Sequence, residues 1–215
     1  MNISRPQKIL DNKLREKCFM EVLELLENEK VENFIFKNEE KSEIELYDAE
    51  FQYGKFDKVI LLSSKIEKTT FKDIIFSNCN FSNTSFMNST FLRCEFNNCK
   101  LEGVNFAECI FHDVSFIGTN AKYINLSLAS LEKVVFNETV LRNSYFQENR
   151  LKNVHFKKAD LTQAQFFKTS LKDIDLSDAN IDGIAISIED IKGAIIDQMQ
   201  ALDLLYLIGV KIKNI

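Results

Sequence analysis

The chain has 215 residues, 45% hydrophobic and 27% charged, with a net charge of −5. Its 6 glycines and 1 proline are too few for a disordered linker, and its aromatic content is 19 phenylalanines against 5 tyrosines and no tryptophan. The acidic balance argues against direct nucleic-acid binding and leaves basic protein surfaces open as partners. No apolar run approaches the ~18 residues of a membrane helix, and the start of the sequence lacks a run of signal-peptide type. Five cysteines without paired CxxC spacing fit a reducing, cytoplasmic setting.

The first region spans residues 1–40. Ile9, Leu10, Leu14, Cys18, Val22, Leu25 and Leu26 recur at helical spacing with Lys, Arg and Glu between them. This predicts an amphipathic helix over about residues 5–29, with Ser4 and Pro6 as start residues. It serves either as a cap over the end of the next region or as a partner-binding helix. Val31 and Phe36 hint at an irregular first coil.

The second region, residues 41–196, is an internal repeat. Stepping by five from Leu46 to Ile196 gives 31 consecutive apolar positions without a slip, and 15 of the 19 phenylalanines fall on them. Two residues before each lies a smaller side chain, as at Ala49, Gly54, Ser64, Cys79, Thr84, Cys94, Cys99, Cys109 and Ala159. The other three places in each unit are mostly polar. Period five fits neither a helix nor a strand, but it fits a chain that turns one corner per unit. Positions 20 apart then stack: Phe56, Phe76, Phe96, Phe116, Phe136 and Phe156 form one ladder beside the mostly aliphatic Leu61, Phe81, Leu101, Ala121, Leu141 and Leu161. Eight coils at a strand spacing of ~4.8 Å predict a rod of roughly 35–40 Å. Ala121 should thin the core or bend the rod, Asn149 must find backbone partners inside, and Glu189 is expected to reach solvent from a distorted coil.

The third region is residues 197–215. Asp197-Gln198-Met199-Gln200 has the form of a helix start related to the capping box. The helix should run to about Ile208 and stop at Gly209, with Val210–Lys213 as a short strand. It is apolar nearly all round, which marks an interface.

The repeat resembles the pentapeptide-repeat family, whose unit is read here as Ala159-Asp160-Leu161-Thr162-Gln163 and Ala179-Asn180-Ile181-Asp182-Gly183. The resemblance covers roughly residues 44–196 and implies an all-β solenoid, a right-handed quadrilateral β-helix with four units per coil. The segment from Asp197 to Val210 is similar to the C-terminal dimerisation segment of the Qnr quinolone-resistance proteins, as are Asn125-Leu126-Ser127-Leu128-Ala129 and Glu148-Asn149-Arg150-Leu151. That similarity implies a two-fold homodimer joined through Met199, Leu202, Leu205, Tyr206 and Ile208.

Nothing in the sequence assembles a catalytic, cofactor-binding or metal site. His112 and His155 fall on outward positions of adjacent faces two coils apart, and no Ser or Cys is placed to pair with either. Cys79, Cys94, Cys99 and Cys109 take small inward places and read as buried free thiols, although Cys79 and Cys99 should stack near disulfide range. Function must then lie on the surface. Asp173, Asp175, Asp178 and Asp182 gather near the C-terminal end, one to two coils past a basic belt of Arg150, Lys152, Lys157, Lys158 and Lys168. The Qnr resemblance implies that such an acidic surface mimics DNA and binds DNA gyrase or topoisomerase IV. The uninterrupted register leaves no place for the loops that interrupt the coils of Gram-negative Qnr relatives. The alternative is a structural or interaction scaffold for an unrelated protein partner.

Overall fold

The computed structural model describes residues 3, 6, 13–19 and 30–211. Every fifth residue from Asn33 to Asp173 has positive φ, and only Gly103 and Gly118 among them are glycine; the others lie between 47° and 63°. Each follows the unit's central position by two, and that position is a large apolar residue everywhere except at Lys41 and Ala121. One left-handed residue per unit turns the chain through a corner, so the pentapeptide period becomes a coil with four sides. For Lys, Glu, Tyr or Leu this conformation costs roughly 1–2 kcal/mol, so packing between coils must impose it.

Strands β1 (Arg15–Glu16), β2 (Lys30–Glu32), β3 (Phe34–Lys37), β4 (Glu40–Ser42), β5 (Glu45–Tyr47), β6 (Glu50–Asp57), β7 (Ile60–Leu62), β8 (Lys65–Glu67) and β9 (Thr70–Ser77) are followed by β10 (Thr90–Asn97), β11 (Ile110–Ile117), β12 (Ser130–Asn137) and β13 (Arg150–Lys157). All pairing is parallel, and past β3 its register is 20 residues, as in Phe91↔Phe111 and Phe136↔Phe156. The long strands bend across two adjacent sides. We call these the first face, carrying Phe51 to Leu171 inward, and the second, carrying Phe56 to Leu176. The third (Leu61 to Ile181) and fourth (Ile66 to Ile186) faces turn differently past residue 80. There isolated bridges replace strands, and four-residue turns close with bonds such as Thr84 N–H to Phe81 O at 3.0 Å.

The inward residues form the core expected from the repeat. On the second face Phe76, Phe96 and Phe116 stack with centroids 4.5 and 4.8 Å apart and planes within 10° of parallel. A similar stack, Phe71–Phe91–Phe111, runs along the first face. Ala121 is buried, and its N–H keeps a 2.8 Å bond to Val140 O, so the ladder passes it without a break. Asn149 does point inward: its Oδ1 accepts from Ala129 N–H at 3.1 Å, and its Nδ2 has no partner among the described residues. Glu189 is exposed in a short helix, α1 (Ile188–Ile191), capped by Ser187, which distorts the coil there.

Gly54 fills a small inward place because its neighbour one coil earlier is large. A Cβ at Gly54 would stand 2.2 Å from the Phe34 ring. Gly54→Ala is expected to cost about 1–3 kcal/mol in chemical denaturation, and the added Phe34→Leu to recover part of it.

The ends depart from expectation. Arg15–Glu16 is a strand paired with Phe34–Ile35, so a single helix over residues 5–29 does not form; of that segment only residue 6 and residues 13–19 lie within the described part. Helical spacing of apolar residues was a poor guide because Phe19, off that pattern, is the side chain that enters the core. Its ring packs edge-on to Phe36 at 5.1 Å, and its N–H donates to the Glu39 carboxylate at 2.9 Å. The coils start at β2 rather than at residue 41, because Val31 and Phe36 join the ladder in regular register with Phe51 and Phe56. Seven coils carry the main sheet, and the coil from residue 170 continues through bridges such as Gln165↔Ala185. Val210 and Lys211 are not in a strand, and Ile212 and Lys213 lie outside the described residues. No helix among the described residues is long and apolar enough to cross a membrane.

Candidate functional site

The C-terminal end is built by a second helix, α2 (Gln198–Asp203), continued as a 3-10 turn over Leu204–Ile208 and ended by Gly209 at φ 73°. The capping box is complete: Asp197 Oδ1 accepts from Gln200 N–H and Gln200 Oε1 from Asp197 N–H, both at 2.9 Å. The buried Gln200 side chain then ties the helix to the last coil, its Nε2 donating to Leu176 O and Ala179 O at 2.8 and 2.7 Å. Leu204 and Leu207 rest on the core. What faces outward is apolar: Met199 is 69% and Ile208 63% exposed, with Leu202 and Tyr206 also exposed and Leu205 half-buried. Tyr206 is partly committed to its own rod, since its hydroxyl donates to Ile184 O at 2.7 Å and burial pushes its pKa up. An open groove of about 270 Å³, lined by Ile188, Ile191, Ile196, Leu204 and Ile208, completes this end.

The four aspartates lie one coil away, where Asp175 bridges Ile195. Twenty-residue stacking places Asp173 at one corner of the second face, Asp175 on it and Asp178 at its other corner; Asp182 turns onto the third face. Asp175 accepts from the Ser177 hydroxyl at 2.6 Å and from Ser177 N–H at 3.0 Å, which holds its carboxyl below the usual range. Lys158 stacks directly over Asp178, 20 residues earlier, and its Nζ lies 3.5 Å from Glu138. The basic belt is thus divided: Lys157 and Lys158 border the acidic face, while Arg150 and Lys152 lie on the first face and Lys168 at its edge. Period-20 alignment would have shown this juxtaposition in the sequence. The same spacing of 20 holds for Lys65–Glu45, Lys152–Glu132 and Lys168–Glu148, while Arg142 reaches Asp160 at a spacing of 18. The partly exposed His112 lies 3.0 Å from Asp113 on the first face, and burial holds the pKa of His155 down on the second.

Cys79, Cys94, Cys99 and Cys109 are free and buried, and Cys18 is free and exposed. Cys79 and Cys99 donate to Phe56 O and Phe76 O, one coil apart. Burial pushes the Cys94 and Cys109 thiols up to about 12; within the stacked pair the contact with Cys99, and then burial, raises the Cys79 thiol, while the contact with Cys79 lowers that of Cys99, which packing closes off from solvent. Since thiolate is the reactive form, a maleimide reagent should label only Cys18 in the native protein and all five cysteines after denaturation. Rapid native labelling of Cys99 would contradict this packing.

Residues 89–166 match the sequence model of a pentapeptide repeat region, and residues 67–103 that of pentapeptide repeats in 8 copies. The chain is a pentapeptide-repeat protein. No curated protein matches its sequence. Among solved structures it is similar to full-length QnrB1, a plasmid-mediated fluoroquinolone resistance protein, at 17% identity and a TM-score of 0.38 over 85% of this chain and 99% of that one. It is also similar to HetL, a pentapeptide repeat protein involved in heterocyst differentiation regulation from the cyanobacterium Nostoc sp. strain PCC 7120, at 14% identity and a TM-score of 0.29 over 79% and 90%. The family assignment for this pentapeptide-repeat protein rests on the repeat and its coil geometry, not on these superpositions.

Proposed function

We propose that this pentapeptide-repeat protein is a non-catalytic, DNA-mimic-like homodimer that binds a type II topoisomerase, DNA gyrase or topoisomerase IV, and counters fluoroquinolone action there. The observation that carries this is the adjacency of two surfaces: an exposed apolar end and, one coil away, a face edged by Asp173, Asp175 and Asp178. Pairing of two ends about a two-fold axis buries Met199, Leu202 and Ile208 and brings two acidic faces close to the dyad as one anionic surface. Such a surface complements a basic DNA-binding saddle and speeds encounter with it at low salt. The test is titration of purified gyrase with the protein and with a variant carrying Asp→Asn at positions 173, 175, 178 and 182. Binding should weaken at least tenfold in the variant, with a smaller salt dependence. Equal binding at all salt concentrations would remove the aspartates from the interface.

The rival reading is a scaffold for an unrelated protein partner. It is favoured by the lysines beside the acidic face and by Arg150, Lys152, Lys172 and Lys192 on the first face. If the full-length protein binds neither topoisomerase, this alternative stands.

A further inference from the structure

Folding the sequence at 20 residues per coil exposes a feature that neither the repeat nor the proposed function uses. On the fourth face and the corner leading into it, no outward position from Asn83 to Ser187 carries a charged side chain, in a chain that is 27% charged. Each of the other three faces carries several: Lys72, Glu132 and Lys172 on the first, Glu95, Lys157 and Asp175 on the second, Lys100, Glu102 and Lys122 on the third. The strip spans six coils, roughly 29 Å by 13 Å from strand spacing and rise.

Its chemistry is self-complementary. Asn105, Asn125, Gln147 and Gln165 line it in rows, and amides both donate and accept. Asn125 Nδ2 donates to Asn105 Oδ1 at 3.0 Å and Gln147 Nε2 to Gln165 Oε1 at 3.1 Å, so part of their polar demand is met within the strip and covering it costs less. Tyr145 and Phe167 stand exposed among them. Tyr123 sits at the corner with φ 58° and is 52% exposed. A tyrosine there has neither a favoured backbone conformation nor burial to account for it.

We propose that this strip is a self-association surface, on which the same strip of a second copy lies face to face about a two-fold axis. In a contact of that kind a surface meets itself. In such a contact a charge on the axis meets its own copy, and every other charge must find an opposite partner or lose its water unpaired; the fourth face carries no charge and so neither constraint. The area, about 400 Å² per copy, is half of the ~800 Å² per partner of a standard stable interface. The contact is therefore weak and concentration-dependent, and it is separate from pairing at the C-terminal end.

The test is sedimentation velocity of the full chain over a wide concentration range in four versions. These are the native sequence, Tyr145→Lys with Phe167→Lys, Met199→Glu with Ile208→Glu, and all four substitutions together. All four positions are exposed, so circular dichroism and thermal unfolding should be unchanged. The strip variant should lose a concentration-dependent step, its association constant falling at least tenfold. The C-terminal variant should keep that step, and the combined variant should lack it. If ends do not pair, the C-terminal variant will sediment as the native chain while the strip variant still loses its association, so the two ideas fail separately. Identical sedimentation of native and strip variants at every concentration would overturn the proposal and leave the strip to a foreign protein.

Discussion

Arg93→Ala is expected to destabilise the protein by about 3 kcal/mol. The corner between the first and second faces stacks Tyr53, Asp73, Arg93, Asp113 and Lys133, all at positive φ. The Asp73 side chain is 0% exposed, and Arg93 grips it with two bonds, Nε to Oδ1 at 2.7 Å and Nη2 to Oδ2 at 2.6 Å. This neighbour raises the guanidinium pKa further above its ordinary value. Removing the arginine leaves a buried carboxylate without its bidentate cation, and that desolvation is the source of the loss. Asp73→Asn in the same background should return much of it, because asparagine is neutral and tolerates the left-handed corner. Denaturant midpoints of the two single variants and the double variant decide the matter. A double variant no more stable than Arg93→Ala would mean that the arginine acts through its packing instead.

Phe96→Ala is expected to cost about 3–5 kcal/mol. The ring is 0% exposed and lies between Phe76 and Phe116 in the middle of the ladder. In a rod where each coil touches only its neighbours, a cavity in a central coil also weakens the coupling between the two halves. The unfolding transition should therefore broaden or split. Asn97→Ala, one residue on and outward, should change stability by no more than about 0.5 kcal/mol. A loss below about 1 kcal/mol for Phe96→Ala would show that the ladder relaxes around the hole.

The large side of this structure was legible because burial repeats with the period of the chain. The step of five gave the coil, and the step of 20 gave the phenylalanine stacks, the stacked Cys79 and Cys99, and the position of the aspartates. Asp197 and Gln200 announced the C-terminal helix because their capping box is local. The left-handed corners were not legible: their occupants include Lys58, Glu108, Tyr123 and Leu128 as well as Asn, because the neighbouring coils, not residue preference, impose the conformation. The N-terminal segment was misread for a similar reason. β1 is held by the first coil's open edge, and Phe19 by the ring cluster beneath it, neither of which leaves a mark in local periodicity. Lys158 over Asp178 and the charge-free strip were both readable at a period of 20, but only when outward positions are aligned as carefully as inward ones.

The most direct test of the functional account is a supercoiling assay with purified DNA gyrase, titrating the full-length protein with and without a fluoroquinolone. The account predicts that supercoiling blocked by the drug returns as the protein is added, and that the fourfold Asp→Asn variant at positions 173, 175, 178 and 182 restores less. No change in gyrase or topoisomerase IV activity at any concentration, with or without drug, would contradict it.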